Sequence, residues 1–312
     1  MPHPRFAVFG AGGVGGYFAA VLTRAGFPTA IIARGQHLDA IRHSGLQVKS
    51  PKGDFTVRVA QAGDSPEEIG PVDAVIVAVK AWQVPDVARA LKPLLKDGTK
   101  VLPLENGVEA PDQLEHAIGR EHTLVGICRI ISSVAGPGVI NHAGMEPTVD
   151  LGELDNSPLS PNAKALADAL RTAGAAVQTP PDIHAALWEK LIFISAVSGI
   201  GAVSRSPIGE FRQCPPTRQL LEQLMEETVA VARARGITPS ADVVARTLAF
   251  VDSIPASGTA SMQRDIADGK PSELEAIIGA VVRFGETAKV STPGMRFIYA
   301  SLLPQEKRAR RQ

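Results

Sequence analysis

The residues able to do chemistry begin with a glycine cluster. Gly10-Ala11-Gly12-Gly13-Val14-Gly15 has the spacing Gly-x-Gly-x-x-Gly. It follows the apolar run Phe6 to Phe9 at once, and apolar residues at helical spacing continue from Val14 to Ala25. Strand, glycine turn and helix in that order is the context in which such a cluster binds a dinucleotide. Gly10 makes the tight turn, Gly12 lets the backbone approach a pyrophosphate, and Gly15 lets the helix pack on the strand. The helix N-terminus offers unpaired N–H groups and a positive dipole end to that anion.

Three further side chains follow predicted strands. The second strand, Thr29 to Ala33, ends at Arg34-Gly35. NAD-binding proteins usually place Asp or Glu there, about 20 residues after the glycines, to hold the ribose 2′-hydroxyl. An acid would repel a 2′-phosphate, whereas Arg34 pairs with one bidentately. The predicted cofactor is therefore NADP. Lys80, in Lys80-Ala-Trp-Gln83, follows the predicted core strand Val72 to Val79, and Asn106-Gly107 follows Lys100 to Leu104. Both fall at carboxyl ends of core strands, where open α/β sheets bind ligands. Lys80 either adds charge near the phosphates or adenine or is a solvated loop lysine. Asn106 either bonds the ribose or the substrate beside the nicotinamide, or belongs to a bare Asn-Gly turn.

Positioning these residues requires a parallel sheet covered on both faces, and the first half alternates strand and helix patterns accordingly. Gln47 to Ser50 and Phe55 to Ala60, around Pro51-Lys-Gly-Asp54, predict a small hairpin. Thr123 to Ser133, Gly138 to Asn141 and Thr148 to Leu151 predict antiparallel strands at the sheet edge. Pro161 to Ala173 predicts a helix, and Ala175 to Gln178 a last short strand. Thr179-Pro-Pro-Asp182 is a proline stop with an N-cap candidate. From there to Leu303 the periodicity is helical. The predicted fold is an α/β Rossmann-type N-terminal domain over residues 1–179 and a mostly α-helical C-terminal domain over residues 180–312.

Composition narrows the function classes. Lys plus Arg and Asp plus Glu both number 32 in 312 residues, so net charge is zero. That argues against nucleic acid as a partner. Only Lys307-Arg-Ala-Arg-Arg311 is a basic run, which predicts a solvated tail. Cys128 and Cys214 build neither a disulfide framework nor a zinc site, which suits a reducing cytoplasm. The seven histidines are scattered, so no catalytic metal is expected. The chain enters its first strand directly, leaving no room for a signal peptide. Leu191 to Val203, between Lys190 and Arg205, is too short to span a bilayer and predicts a buried helix. A cytoplasmic protein without membrane partners is expected.

The chain resembles the ketopantoate reductases, also called 2-dehydropantoate 2-reductases. The glycine turn, Arg34, Lys80-Ala-Trp-Gln83 and Asn106-Gly107 match that family in order. So do Leu187-Trp-Glu-Lys190, Ser261-Met-Gln-Arg-Asp265, Ser272-Glu273-Leu-Glu275 and Thr292-Pro293. The resemblance covers nearly the whole chain. It implies NADPH-dependent reduction of the 2-keto group of ketopantoate to pantoate, for pantothenate and coenzyme A. By that resemblance Lys190 is catalytic: a cation polarises the keto oxygen and delivers a proton as hydride arrives. Its neighbours Leu187, Trp188, Leu191 and Ile192 are apolar, and partial desolvation eases proton release. The bland alternative is a lysine snorkelling from a helix edge. The resemblance also places Ser261 on the substrate and Glu273 on the cofactor near the nicotinamide end. The residues themselves allow a plainer reading, in which Ser272-x-x-Glu275 is a capping box and Glu273 is favoured by the helix dipole.

The departures concern the substrate. The resemblance calls for asparagines four and eight residues after the lysine, on one helix face. Ile194 and Ser198 stand there, and Ile208 falls about where a third asparagine, in the following loop, is expected. Ser198 is the hydroxyl left to meet a substrate on that face, and Ser195, Ser204 and Arg205 are further candidates for polar contacts. Two alternatives therefore stand beside ketopantoate reduction. One is a reductase of the same fold acting on a more apolar 2-oxo acid or an imine; the other is a dinucleotide-binding sensor without turnover. Helical second domains of this kind often dimerise, so a homodimer is expected by analogy.

Overall fold

The computed structural model describes residues 3–311. The chain divides into two compact units. The first takes the residues up to Glu105 together with Ala110–Ile183; the second takes Asn106–Glu109 and the residues from His184 on.

In the first unit the elements run β1 (Phe6–Phe9), α1 (Gly13–Arg24), β2 (Thr29–Ile32), α2 (Gly35–Ser44), β3 (Leu46–Lys49), β4 (Phe55–Val57), β5 (Gln61–Gly63), α3 (Pro66–Ile69), β6 (Ala74–Val77), α4 (Val84–Ala90) and β7 (Lys100–Pro103). After them come α5 (Ala110–Ile118), β8 (Leu124–Arg129), β9 (Ser132–Gly136), β10 (Val139–His142), β11 (Thr148–Glu153), α6 (Pro161–Thr172) and β12 (Ala176–Gln178). The main sheet has the order β5-β2-β1-β6-β7, and all its pairings are parallel. Alternate residues of one strand enter different cores. Phe6 and Val8 join a cluster with Phe18, Leu22, Ile31 and Leu102, while Ala7 and Phe9 join one with Val75, Val87, Val101 and Leu114. A strand covered on both faces has no use for polar alternation, so its sequence is a continuous apolar run.

The region after residue 123 departs from the expected single edge. Thr123 to Ser133 is two strands that separate into different sheets. β8 pairs antiparallel with β11, which pairs parallel with β12. β9 pairs antiparallel with β10, which joins the β3–β4 hairpin in the order β4-β3-β10-β9. Half-buried Ile130 and exposed Ile131 lie in neither strand, and a continuous β-rich sequence hides such a break. The short strand β5 was not expected; it is three residues long and carries a glycine. A buried pair, Lys100 Nζ to Glu153 at 2.8 Å, fastens β7 to β11.

The second unit is helical: α7 (Ile183–Ser204), α8 (Ile208–Gln213), α9 (Pro215–Ala234), α10 (Val243–Ser253), α11 (Ser261–Ala267), a π-helical turn (Glu275–Gly279) continuing into α12 (Ala280–Ala288), and α13 (Pro293–Ala309). At 22 residues α7 exceeds the predicted apolar run and is long and apolar enough to cross a membrane. However, 67% of its most apolar window is buried inside the protein. A helix apolar on all sides is a core helix when other elements cover it. The basic run Lys307–Arg311 carries α13 to its end: its four charged residues are exposed, as a solvated run requires, while Ala309 and the preceding Glu306 are buried.

Candidate active site

The dinucleotide elements meet at the carboxyl ends of neighbouring strands. β1 is flanked by β2 on one side and β6 on the other, and successive crossovers leave it in opposite directions. That is a topological switch point, where open parallel sheets leave a crevice. Gly10 follows β1, Arg34 follows β2, Lys80 follows β6 and Glu105 follows β7.

The glycine turn fits its assigned parts. Gly10 has φ of +101°, and a Cβ there would lie 2.7 Å from the Ala78 carbonyl oxygen. A Cβ at Gly15 would meet the Gly10 oxygen at 1.9 Å, so strand and helix close only without it. At Gly12 nothing lies nearer than 4.0 Å, which leaves room for a ligand. Gly12 caps α1 without a side-chain bond, and the first turn holds no acid. The N–H groups of Gly13, Val14 and Gly15 therefore remain available to an anion, with Ala11 in the turn before them. Sequence reasoning gave Gly13 no packing role, yet a Cβ there would lie 2.6 Å from the Ser132 oxygen, against β9. Gly15→Ala should shift the turn; misfitting a packed site costs about 1–3 kcal/mol. Thermal melting should show a lowered Tm and little further stabilisation by NADPH. An unchanged Tm with the full NADPH shift would contradict this.

Arg34 is exposed at the N-cap of α2, whose first turn also lacks an acid. Its guanidinium makes no hydrogen bond or ion pair among the described residues, so charge and helix N-terminus can act on one phosphate together. The sequence showed the arginine and not the helix start. His37, one turn later, accepts the Gly138 N–H at Nδ1 (3.0 Å), and burial pushes its pKa below the usual histidine value. A neutral ring is thus a fixed strut between α2 and the turn before β10. Lys80 is half-buried, its N–H bonded to Gln83 (3.1 Å) and its Nζ 5.8 Å from the centre of the Trp82 ring. Glu105, which sequence reasoning passed over, is buried and accepts the Val79 N–H at 3.0 Å. It joins the segments that follow β6 and β7. Its only sequence signal is an acid placed between a core strand and Asn-Gly.

In the helical unit, residues remote in sequence come together. Asn106 Nδ2 donates to Glu273 Oε2 at 2.9 Å, and Glu273 is buried. Gly107, with φ of +100°, approaches the π turn so closely that a Cβ would lie 2.7 Å from the Ala276 oxygen. Arg283 reaches Glu109 at 2.9 Å and Glu275 at 3.0 Å. Asn106-Gly107 is therefore more than a free turn. Glu275 is structural, as expected, but not through a capping box. It binds Arg283 and accepts the Tyr299 hydroxyl (2.7 Å), and burial and that carboxylate push the Tyr299 phenol up to about 12.

Lys190 is half-buried on α7 among buried Leu187, Trp188, Leu191 and Ile192. Its neighbour Glu189 fixes the helix by accepting Ser240 N–H (3.0 Å) and Oγ–H (2.7 Å), and by pairing with Arg246 (3.0 Å). Burial raises the Glu189 pKa, but those bonds outweigh it and hold the carboxyl below its usual range. Ile194 is half-buried and Ser198 buried, at four-residue steps from Lys190. The Ser198 hydroxyl makes no hydrogen bond among the described residues. Ser261 is exposed at the start of α11.

Other polar candidates fall away. Ser195 is fully buried beside Thr228 (3.4 Å), and Ser204 bonds back to the Ile200 carbonyl (2.7 Å). Ile208 opens α8 in the core rather than lying in a loop. Arg205 lines a cavity of about 670 Å³ with Gln263, Lys270, Glu306 and Arg308, and neither Lys190, Ser261 nor Glu273 is in its lining.

A glycine turn at the switch point of a parallel sheet, followed by a helical unit, defines a Rossmann-type dinucleotide-binding fold. The model of ketopantoate reductase PanE/ApbA matches residues 6–156, and that of the ketopantoate reductase PanE/ApbA C terminal matches residues 182–306. The chain belongs to this family, and it is an oxidoreductase acting on a CH–OH group. It is similar to the 2-dehydropantoate 2-reductase of Halobacterium salinarum, at 31% identity over 94% of this chain and 95% of that one. The crystal structure of a PanE/ApbA family ketopantoate reductase from Ralstonia eutropha JMP134 is 31% identical, with TM-score 0.89, covering 98% of this chain and 99% of that one. A D-mandelate dehydrogenase solved with NADH and anilino(oxo)acetate shares the fold alone, at 23% identity, TM-score 0.88 and coverage of 98% and 99%.

Proposed function

We propose that the chain reduces the 2-keto group of a 2-oxo acid with NADPH, the family's ketopantoate being the first substrate to test. The observation that carries this reading is the Asn106–Glu273 bond. It unites a residue following the last main-sheet strand with one 167 positions away in the helical half. The residues of the first unit bind the dinucleotide: Gly10 to Gly15 the pyrophosphate, Arg34 the 2′-phosphate, Lys80 neighbouring negative charge. Those of the second unit handle the substrate and, by analogy of fold, dimerisation. NADPH supplies the hydride. Lys190 holds positive charge at the keto oxygen and gives up a proton there, so that an alcohol and not an alkoxide leaves. Asn106 and Glu273 orient the nicotinamide ribose or the substrate, and Ser261 and Ser198 offer hydroxyls to the substrate.

A second reading concerns the substrate. Ile194 and Ser198 give the Lys190 face little hydrogen-bonding capacity, and Ile208 is buried at the start of α8; this favours a more apolar 2-oxo acid, or an imine, over ketopantoate. Location in the cytoplasm fits Cys128 and Cys214, both free thiols.

Cofactor choice is tested at Arg34. Arg34→Ala should raise KM for NADPH by about 10-fold or more, the worth of a charge-assisted hydrogen bond, and leave KM for NADH nearly alone. Equal use of the two cofactors by the unmodified protein would refute the assignment to Arg34.

A further inference from the structure

Glu306 has no part in the reading above, although it is 2% exposed and carries a charge. Its carboxylate accepts the Ser272 N–H (3.0 Å to Oε2, 3.2 Å to Oε1) and the Ser272 hydroxyl proton (2.5 Å). Arg310, one turn on, places Nε 2.6 Å from Glu306 Oε1 and donates from Nη2 to the Ser272 carbonyl at 2.9 Å. Ser272 is thus held at its N–H and hydroxyl by Glu306 of α13 and at its carbonyl by Arg310, the residue that caps that helix.

A simple cap for the following helix would need far less. The capping-box partner, Glu275, stands three residues away and is engaged by Arg283 and Tyr299 instead. A buried carboxylate is stable only when charge and hydrogen bonds compensate its lost hydration. Here the compensation comes from Ser272 and Arg310, so carboxylate and serine fix each other. The next residue in the chain is Glu273, and the backbone then enters the π turn Glu275–Gly279 that packs on Gly107.

We propose that Glu306 and Arg310 are positioning residues. By pinning Ser272 on three atoms they set the backbone from which Glu273 reaches Asn106, so the C-terminal helix controls how the Asn106–Glu273 pair meets the cofactor. This rests on the proposed role of that pair. It gives the basic end of the chain a task that its sequence, taken alone, assigned to solvent.

A double-mutant cycle tests it, with NADPH and ketopantoate as the probes. Glu306→Gln keeps the shape and removes the charge. It should raise KM for NADPH about tenfold, the scale of one lost hydrogen bond to a charged group, with a smaller change in kcat. In a Glu273→Gln background the same substitution should change kcat/KM by less than about twofold, because its route of action is already gone. A loss of kcat at unchanged KM would mean a smaller folded fraction and would overturn the proposal. So would losses that multiply in the double variant. If Glu273→Gln alone leaves kcat/KM intact, the pair's role fails and takes the proposal with it, an outcome distinct from multiplying losses. Should Glu306→Gln not fold, Ser272→Ala removes one of the three anchors and runs through the same cycle, with the same coupling expected.

Discussion

Lys190→Ala should lower the turnover number by about 10²–10⁴-fold, the usual worth of general acid catalysis, and leave NADPH binding nearly intact. α7 is held by its apolar neighbours and by Glu189, whose bonds to Ser240 and Arg246 fix its rotation. The Glu189 bonds remain when the Lys190 ammonium is removed, so α7 keeps these anchors. Hydride addition to a ketone develops negative charge on oxygen, and a nearby cation acts where that charge appears. Steady-state kinetics and fluorescence titration with NADPH separate the two quantities. Near-normal turnover would return Lys190 to the part of a lysine snorkelling from a helix edge.

The second large effect concerns substrate choice. Lys190, Ile194 and Ser198 share one helix face and offer a cation, an apolar surface and a short hydroxyl. A site with hydrogen-bond partners for a substrate hydroxyl gains strongly from it, and an apolar site gains little. Each missing bond to an uncharged partner costs about 0.5–1.5 kcal/mol. Two or three absent amides thus weaken transition-state binding by roughly one to three powers of ten. Ketopantoate should be a weak substrate beside an analogue lacking the terminal hydroxyl. Ile194→Asn should shift the ratio of kcat/KM values back toward ketopantoate. If the unmodified protein strongly prefers ketopantoate to its deoxy analogue, other residues supply the contacts and this inference from Ile194 and Ser198 is wrong.

What the sequence made legible follows from how local each feature is. Phe6 to Gly15 announces itself because strand, turn and helix are consecutive; the contact that requires Gly15 lies within that unit, whereas those that require Gly10 and Gly13 come from Ala78 and Ser132, far along the chain. Arg34 was visible because it ends a strand at a fixed distance from the glycines; the α2 N-terminus behind it was not, since Arg34 is an unusual cap. Glu105 and Glu306 were invisible for another reason. A carboxylate in a sequence reads as solvated surface, and only the fold shows the Val79 N–H or Ser272 waiting for it. Ser272-x-x-Glu275 misled in the opposite direction: the spacing is right for a capping box and Ser272 Oγ does accept the Leu274 N–H (3.3 Å), but Glu306 takes the hydroxyl proton and Arg283 and Tyr299 take Glu275. The break between β8 and β9 was hidden because strand propensity runs on through it.

The most direct test of the whole account is the initial rate of NADPH oxidation with ketopantoate, its deoxy analogue and a panel of other 2-oxo acids, with the product identified. The account predicts saturable oxidation of NADPH, one 2-hydroxy acid formed per NADPH consumed, and a rate that collapses in Lys190→Ala. Tight NADPH binding with no turnover of any 2-oxo acid would contradict it and favour a dinucleotide sensor.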